Sequence, residues 1–129
     1  AIAIASLAIA SLVEDGWHGL VVKGGKRGTS NVGVIHAGDA TNVVAEHATL
    51  RAEARGHDAA FRGRIIKAIE KAFESAAKKV KASDGRKGTV TISGRLDYEA
   101  FRLPEDDASV TAASAAIKAI GLSPRFDIS

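Results

Sequence analysis

The chain contains no cysteine, no methionine and two prolines, and only six of its 129 residues are aromatic: four Phe, one Trp and one Tyr. Without cysteine, a disulfide scaffold, a thiolate zinc site and a cysteine nucleophile are excluded. Without methionine, the sequence reads as a processed or internal fragment, or as one whose start is not included. Scarce aromatics leave little with which to stack nucleic-acid bases. No Lys or Arg precedes Lys23, so the apolar opening, residues 1–13, lacks the basic start of a secretory signal. That stretch is also too short to cross a bilayer as a helix. What remains is ordinary globular material. Hydrophobic residues make up 46% and charged residues 26%, the proportions of one folded domain. The net charge is +3, too mild on its own to mark a nucleic-acid binder.

The opening is expected to be a buried helix, although Ala1-Ile2-Ala3-Ile4-Ala5 also alternates as a strand would. Glu14-Asp15-Gly16 then stops it. Residues 23–28, Lys-Gly-Gly-Lys-Arg-Gly, read as an exposed loop, and Val32-Gly33-Val34-Ile35 as a strand. From Val44 onward Ala48, Leu50, Ala52 and Ala54 alternate with His47, Thr49, Arg51, Glu53 and Arg55. Period two over that length predicts an antiparallel strand with one face on a core and one in water. Asp58 is placed to cap a helix whose Phe61, Ile65, Ile69, Phe73, Ala77 and Val80 form one apolar stripe, with Glu74 and Lys78 as an outer pair. Residues 89–93 alternate again as a strand. A last Ala-rich helix is expected from about Ser109 to Ile120, closed by Gly121 and Pro124. Helices and half-wet strands in this order give an α+β fold: a two-layer sandwich with an antiparallel sheet, two helices on one face, and a C-terminal helix.

Candidate chemistry is sparse. His18, His36, His47 and His57 include no i, i+4 pair on a helix and offer no ready metal site. Gly24-Gly25-Lys26-Arg27-Gly28-Thr29 lacks the spacing of a phosphate loop. Residues 58–87 carry nine Lys and Arg against four Asp and Glu, an excess of five that reads first as a solvated helix face. Arg51, Glu53 and Arg55 project from the wet strand face at steps of about 7 Å. They form either a cross-strand ion-pair ladder or an Arg fork that clamps a carboxylate.

Three segments carry a family resemblance: Gly28-Thr29-Ser30-Asn31-Val32-Gly33-Val34-Ile35, Gly38-Asp39-Ala40-Thr41-Asn42-Val43-Val44, and Ala52-Glu53-Ala54-Arg55-Gly56-His57-Asp58. In these the chain resembles the lid, or dimerisation, domain of the zinc-dependent exopeptidase and aminoacylase family, which includes glutamate carboxypeptidase, peptidase T and succinyl-diaminopimelate desuccinylase. The resemblance implies a ferredoxin-like layer that pairs with a second copy as a homodimer. It assigns residues 1–106 to the lid, without its first strand, and residues 107–129 to a return segment toward a catalytic domain. It implies hydrolysis of a peptide or N-acyl amino-acid amide bond, with zinc held in the full-length enzyme by residues outside this chain. No catalytic and no metal-binding residue is expected here, and the piece alone should be inactive.

By match, Asn42 and Arg55 are the substrate contacts, since an amide and a guanidinium both donate to a carboxylate. Asn42 has a turn residue as its alternative reading. Where relatives often have Pro, this chain has Ala45. A cytoplasmic location, and neither nucleic acid nor membrane as partner, complete the expectation. The competing reading is a stand-alone ferredoxin-like binding or assembly module, with RNA as one ligand, which steep salt dependence would reveal.

Overall fold

Ala and Leu favour helix strongly enough to decide the opening. In the computed structural model, which describes residues 1–127, α1 (Ile2–Glu14) buries Ala5, Ala8 and Leu12 on one face. The Ala–Ile alternation therefore yields to the three-and-four spacing of that face. At its end Trp17 N–H donates to the Leu12 carbonyl (2.7 Å) and Gly16 N–H to that of Val13, while Gly16 takes φ 65°. This paired closure needs a left-handed residue, which glycine supplies without strain.

The chain then enters a hairpin. β1 (Gly19–Lys23) pairs antiparallel with β2 (Lys26–Ala37), with Lys23 opposite Lys26. Gly24 and Gly25 form the whole turn, at φ 59° and 73°. Two consecutive positive-φ residues match the right-handed twist of the flanking strands. The loop expected over residues 23–28 is thus corrected to a two-residue turn, and Gly28 lies buried inside β2. β2 also pairs antiparallel with β3 (Ala48–Arg55), with a bulge between Val32 and Val34, so the sheet order is β1-β2-β3. β3 begins at Ala48, and the four residues from Val44 belong to the loop before it.

Asp58 caps α2 (Ala59–Lys79): its Oδ1 accepts the Phe61 N–H at 2.7 Å. The expected stripe is present, with Phe61, Ile65, Phe73, Ala76 and Ala77 buried. Glu74 and Lys78 form no ion pair among the described residues. Both helices lie on the same sheet face. Ala8, Leu12, Phe73 and Ala76 pack with Val32 and Leu50 beneath them. Val21, Phe61 and Ile65 form a second cluster with Ala54 and Trp17. Each fully buried Leu, Ile or Phe contributes about 1.5–3 kcal/mol through area removed from water. The result is an α+β two-layer sandwich in which neither α1 nor α2 lies on the other sheet face.

Residues 89–93 form no ladder, contrary to their alternation. Val90 nevertheless packs on the first core cluster. Among the described residues β3 has a strand on its β2 side only, so its outer edge stays unpaired and residues 89–93 do not take it up.

The chain divides into two compact units, Ala1–Glu99 and Ala100–Ser129. The second holds α3 (Ala108–Ala119), capped by Asp107, whose Oδ1 accepts from Ser109 N–H (2.8 Å). Gly121, at φ 79°, follows the helix as expected, and no residue of α3 is buried. The last two residues of the expected return segment, Ile128 and Ser129, lie outside the described residues. No described helix is long and apolar enough to cross a membrane.

Candidate substrate-contact site on the open sheet face

Strand register fixes which side chains share the uncovered face. Leu20, Thr29 and Arg55 form one row across the three strands, with Asn31 opposite Glu53, Val34 opposite Arg51 and His36 opposite Thr49. The alternate residues Val21 and Ser30 are buried beneath the helices, so these rows face the other way.

Arg55 closes β3 and is held from several sides. Its carbonyl lies over Gly28, where an added Cβ would come within 2.5 Å of that oxygen and 2.8 Å of Ile65. Next along the chain, Arg62 donates to the Gly56 carbonyl at 3.2 Å. Lys26 then joins the hairpin turn to the helix cap through Asp58 at 2.6 Å. The Lys26 ammonium, seconded by the Phe61 N–H, holds the Asp58 carboxyl below its ordinary value of 3.8.

The guanidinium of Arg55 donates to Glu53 at 2.9 Å, with the two side chains 66% and 52% exposed. The pair lies along one strand rather than across two, which corrects the cross-strand ladder among the two readings. Exposed ion pairs contribute about 0–1 kcal/mol, so a ligand carboxylate can displace Glu53 at small cost. Arg51 makes no ion pair among the described residues.

Asn42 lies elsewhere. It is exposed in the turn closed by Val43 N–H donating to the Ala40 carbonyl at 3.4 Å. That loop packs at the start of α1, where the Ala1 nitrogen donates to the Ala45 carbonyl at 2.6 Å. The structure therefore does not bring Asn42 and Arg55 together.

Of the histidines, His18 turns its Nε2 to accept the Val32 N–H at 3.4 Å. His36 and His47 line a shallow depression of about 550 Å³ with Asp39 and Thr49. Among the described residues no group of three or more His, Cys, Asp or Glu could hold a metal. Arg27 and Thr29 stand in the sequence only as members of a basic glycine-rich segment, and neither they nor Leu20 read there as neighbours of Arg55. The signal was present in Gly24-Gly25, a two-residue hairpin turn whose register places all three.

Residues 1–81 match the family model for the peptidase dimerisation domain. The chain belongs to that family. Two solved structures are similar to it over nearly its whole length. An aminopeptidase PepT from Bacillus cereus is 27% identical, with a TM-score of 0.71 over 99% of this chain and 31% of that one. A tripeptidase from Staphylococcus aureus is 31% identical, with a TM-score of 0.67 over 95% of this chain and 30% of that one. The chain thus spans about three-tenths of the length of each. A search of curated proteins finds no match. As a peptidase dimerisation domain, the chain carries the ferredoxin-like layer that the two helices and the sheet compose.

Proposed function

We propose that this dimerisation domain is the lid of a metal-dependent peptidase or deacylase that hydrolyses a peptide or N-acyl amino-acid amide bond. In this reading residues 1–106 form the lid, and residues 107–129 lead back to a catalytic domain outside this chain. The observation that carries it is Arg55, a guanidinium at a braced strand end on the helix-free face, with an exposed and exchangeable partner. The family match and two relatives named as an aminopeptidase and a tripeptidase support it.

Arg55 binds the substrate carboxylate by two parallel N–H donors and fixes its orientation. The Asn42 amide, at the other end of β3, donates to a substrate oxygen in the site that the second copy of the domain covers. Closing the sheet over the substrate excludes water and strengthens both contacts. Zinc is the metal the family implies, and it polarises the scissile carbonyl when bound. In this reading its ligands come from the catalytic domain outside this chain. Self-association follows from the domain type, and a homodimer in the cytoplasm is the assembly proposed.

The test is hydrolysis of dipeptides, tripeptides and N-acyl amino acids by the full-length enzyme, with and without a chelator, beside Arg55→Ala. Chelator-sensitive turnover whose KM rises at least tenfold in the variant is expected. Turnover untouched by Arg55→Ala removes the substrate role, and no metal-dependent hydrolysis removes the peptidase reading.

A further inference from the structure

The neighbours of Arg55 form a composition that Arg55 alone does not explain. Val22 and Arg27 stand opposite each other one row beyond Leu20, Thr29 and Arg55, and alternation puts all five on the helix-free face. Arg27 is two residues from Thr29, which faces Arg55, so the two arginines are diagonal neighbours with Cα atoms about 7–8 Å apart. Arg27 makes no ion pair among the described residues, and Glu53 is the sole carboxylate paired with Arg55. Two cations against one anion leave the group at net +1 beside the exposed Thr29 hydroxyl. Two like charges this close favour an anion between them.

The outer strand adds the opposite character. Leu20 is 61% exposed and Val22 56% exposed, side by side on the same face. Adjacent strands lie about 4.8 Å apart, so Leu20 is about 10 Å from Arg55 across the sheet. One amino-acid residue, with its carboxylate at one end and its side chain at the other, spans that distance.

We infer that Arg27 and Thr29 complete a carboxylate seat around Arg55, and that Leu20 and Val22 form the apolar ledge beside it. The ligand is then a short peptide ending in a free carboxylate on an apolar residue. Charge complementarity selects the carboxylate, and the ledge selects the side chain. This rests on the substrate role proposed for Arg55, and it adds two things: a second cation and a preference at the terminal residue. Arg27 binds the carboxylate oxygens by charge-assisted N–H donors, and Thr29 offers a hydroxyl donor between the two guanidiniums.

The test uses the full-length enzyme and three tripeptides: Ala-Ala-Leu, its C-terminal amide, and Ala-Ala-Asp. Arg27→Gln is expected to raise KM for the free acid about tenfold, leaving kcat and the amide's KM unchanged. Leu20→Ser is expected to lower the preference for Leu over Asp about tenfold. All these side chains are exposed, and unchanged thermal melts confirm that the variants fold. If Arg27→Gln slows acid and amide equally, or neither, the seat is overturned. An unchanged Leu-to-Asp preference in Leu20→Ser overturns the ledge. Arg55→Gln separates the two readings. Discrimination lost in Arg55→Gln alone overturns the present inference and keeps the earlier one, and discrimination lost in neither variant overturns both.

Discussion

Asn42 and Arg55 lie at opposite ends of β3. Arg55 is its last residue, and Asn42 precedes its first by six, in a loop tied to the start of α1. Eight residues of strand span about 24 Å between the two ends. A di- or tripeptide is too short to touch both from one copy of the domain. If both residues contact substrate, they do so in different active sites, and each site draws on two copies.

The close approach at Gly28 gives a first expectation. A methyl group there meets the Arg55 backbone carbonyl and the buried Ile65 side chain. Gly28→Ala should therefore cost about 1–3 kcal/mol, the range for overpacked cores. Urea unfolding of the variant checks it, and a loss below a few tenths would mean that the strands separate easily at this point.

Ser30 is buried on the helix side of the central strand, and its hydroxyl has no hydrogen-bond partner among the described residues. Removing an unsatisfied buried hydroxyl costs nothing in hydrogen bonding and relieves desolvation. Ser30→Ala should leave stability unchanged or raise it by up to about 1 kcal/mol. A loss greater than that in denaturant titration would show that the hydroxyl is satisfied in solution.

Asp58 makes the folded state sensitive to acid. Lys26 first, and then the Phe61 N–H, hold its carboxyl below the ordinary 3.8 in the fold. A depressed folded value means that the stabilisation is complete above the unfolded pKa and fades as pH falls through the folded one. Between pH 7 and pH 5 Asp58 should contribute no change in melting temperature, and below pH 3.8 its contribution should decline. Asp58→Asn keeps a cap and loses the charge. Melts of the two proteins should differ at pH 7 and converge in acid, and a gap that stays constant would assign the effect to another group.

Much of the fold is legible from residue patterns. The alternation through Arg51, Glu53 and Arg55 reports which strand face is wet, because side chains of a strand point to opposite faces by geometry. The stripe from Phe61 to Ala77 and the cap at Asp58 report a helix for equally local reasons. Partners are not local. Residues 89–93 alternate as a strand should, yet alternation carries nothing about whether the segment comes to lie along a free edge such as that of β3. The same gap hides the surroundings of Arg55. Leu20, Thr29 and Arg27 become its neighbours only through a register set by two glycines, and that stretch reads from composition as a loop. Asn42 was legible as a residue type, but its distance from Arg55 depends on the course of β3.

That distance offers the most direct measurement. Full-length Asn42→Ala and Arg55→Ala proteins, each impaired alone, are unfolded together, refolded as a mixture and assayed for peptide hydrolysis. Random pairing makes half the dimers mixed, and each mixed dimer has one intact site of two, so about a quarter of wild-type activity should return. A mixture no more active than its components would contradict a lid that serves two active sites from the two ends of one strand.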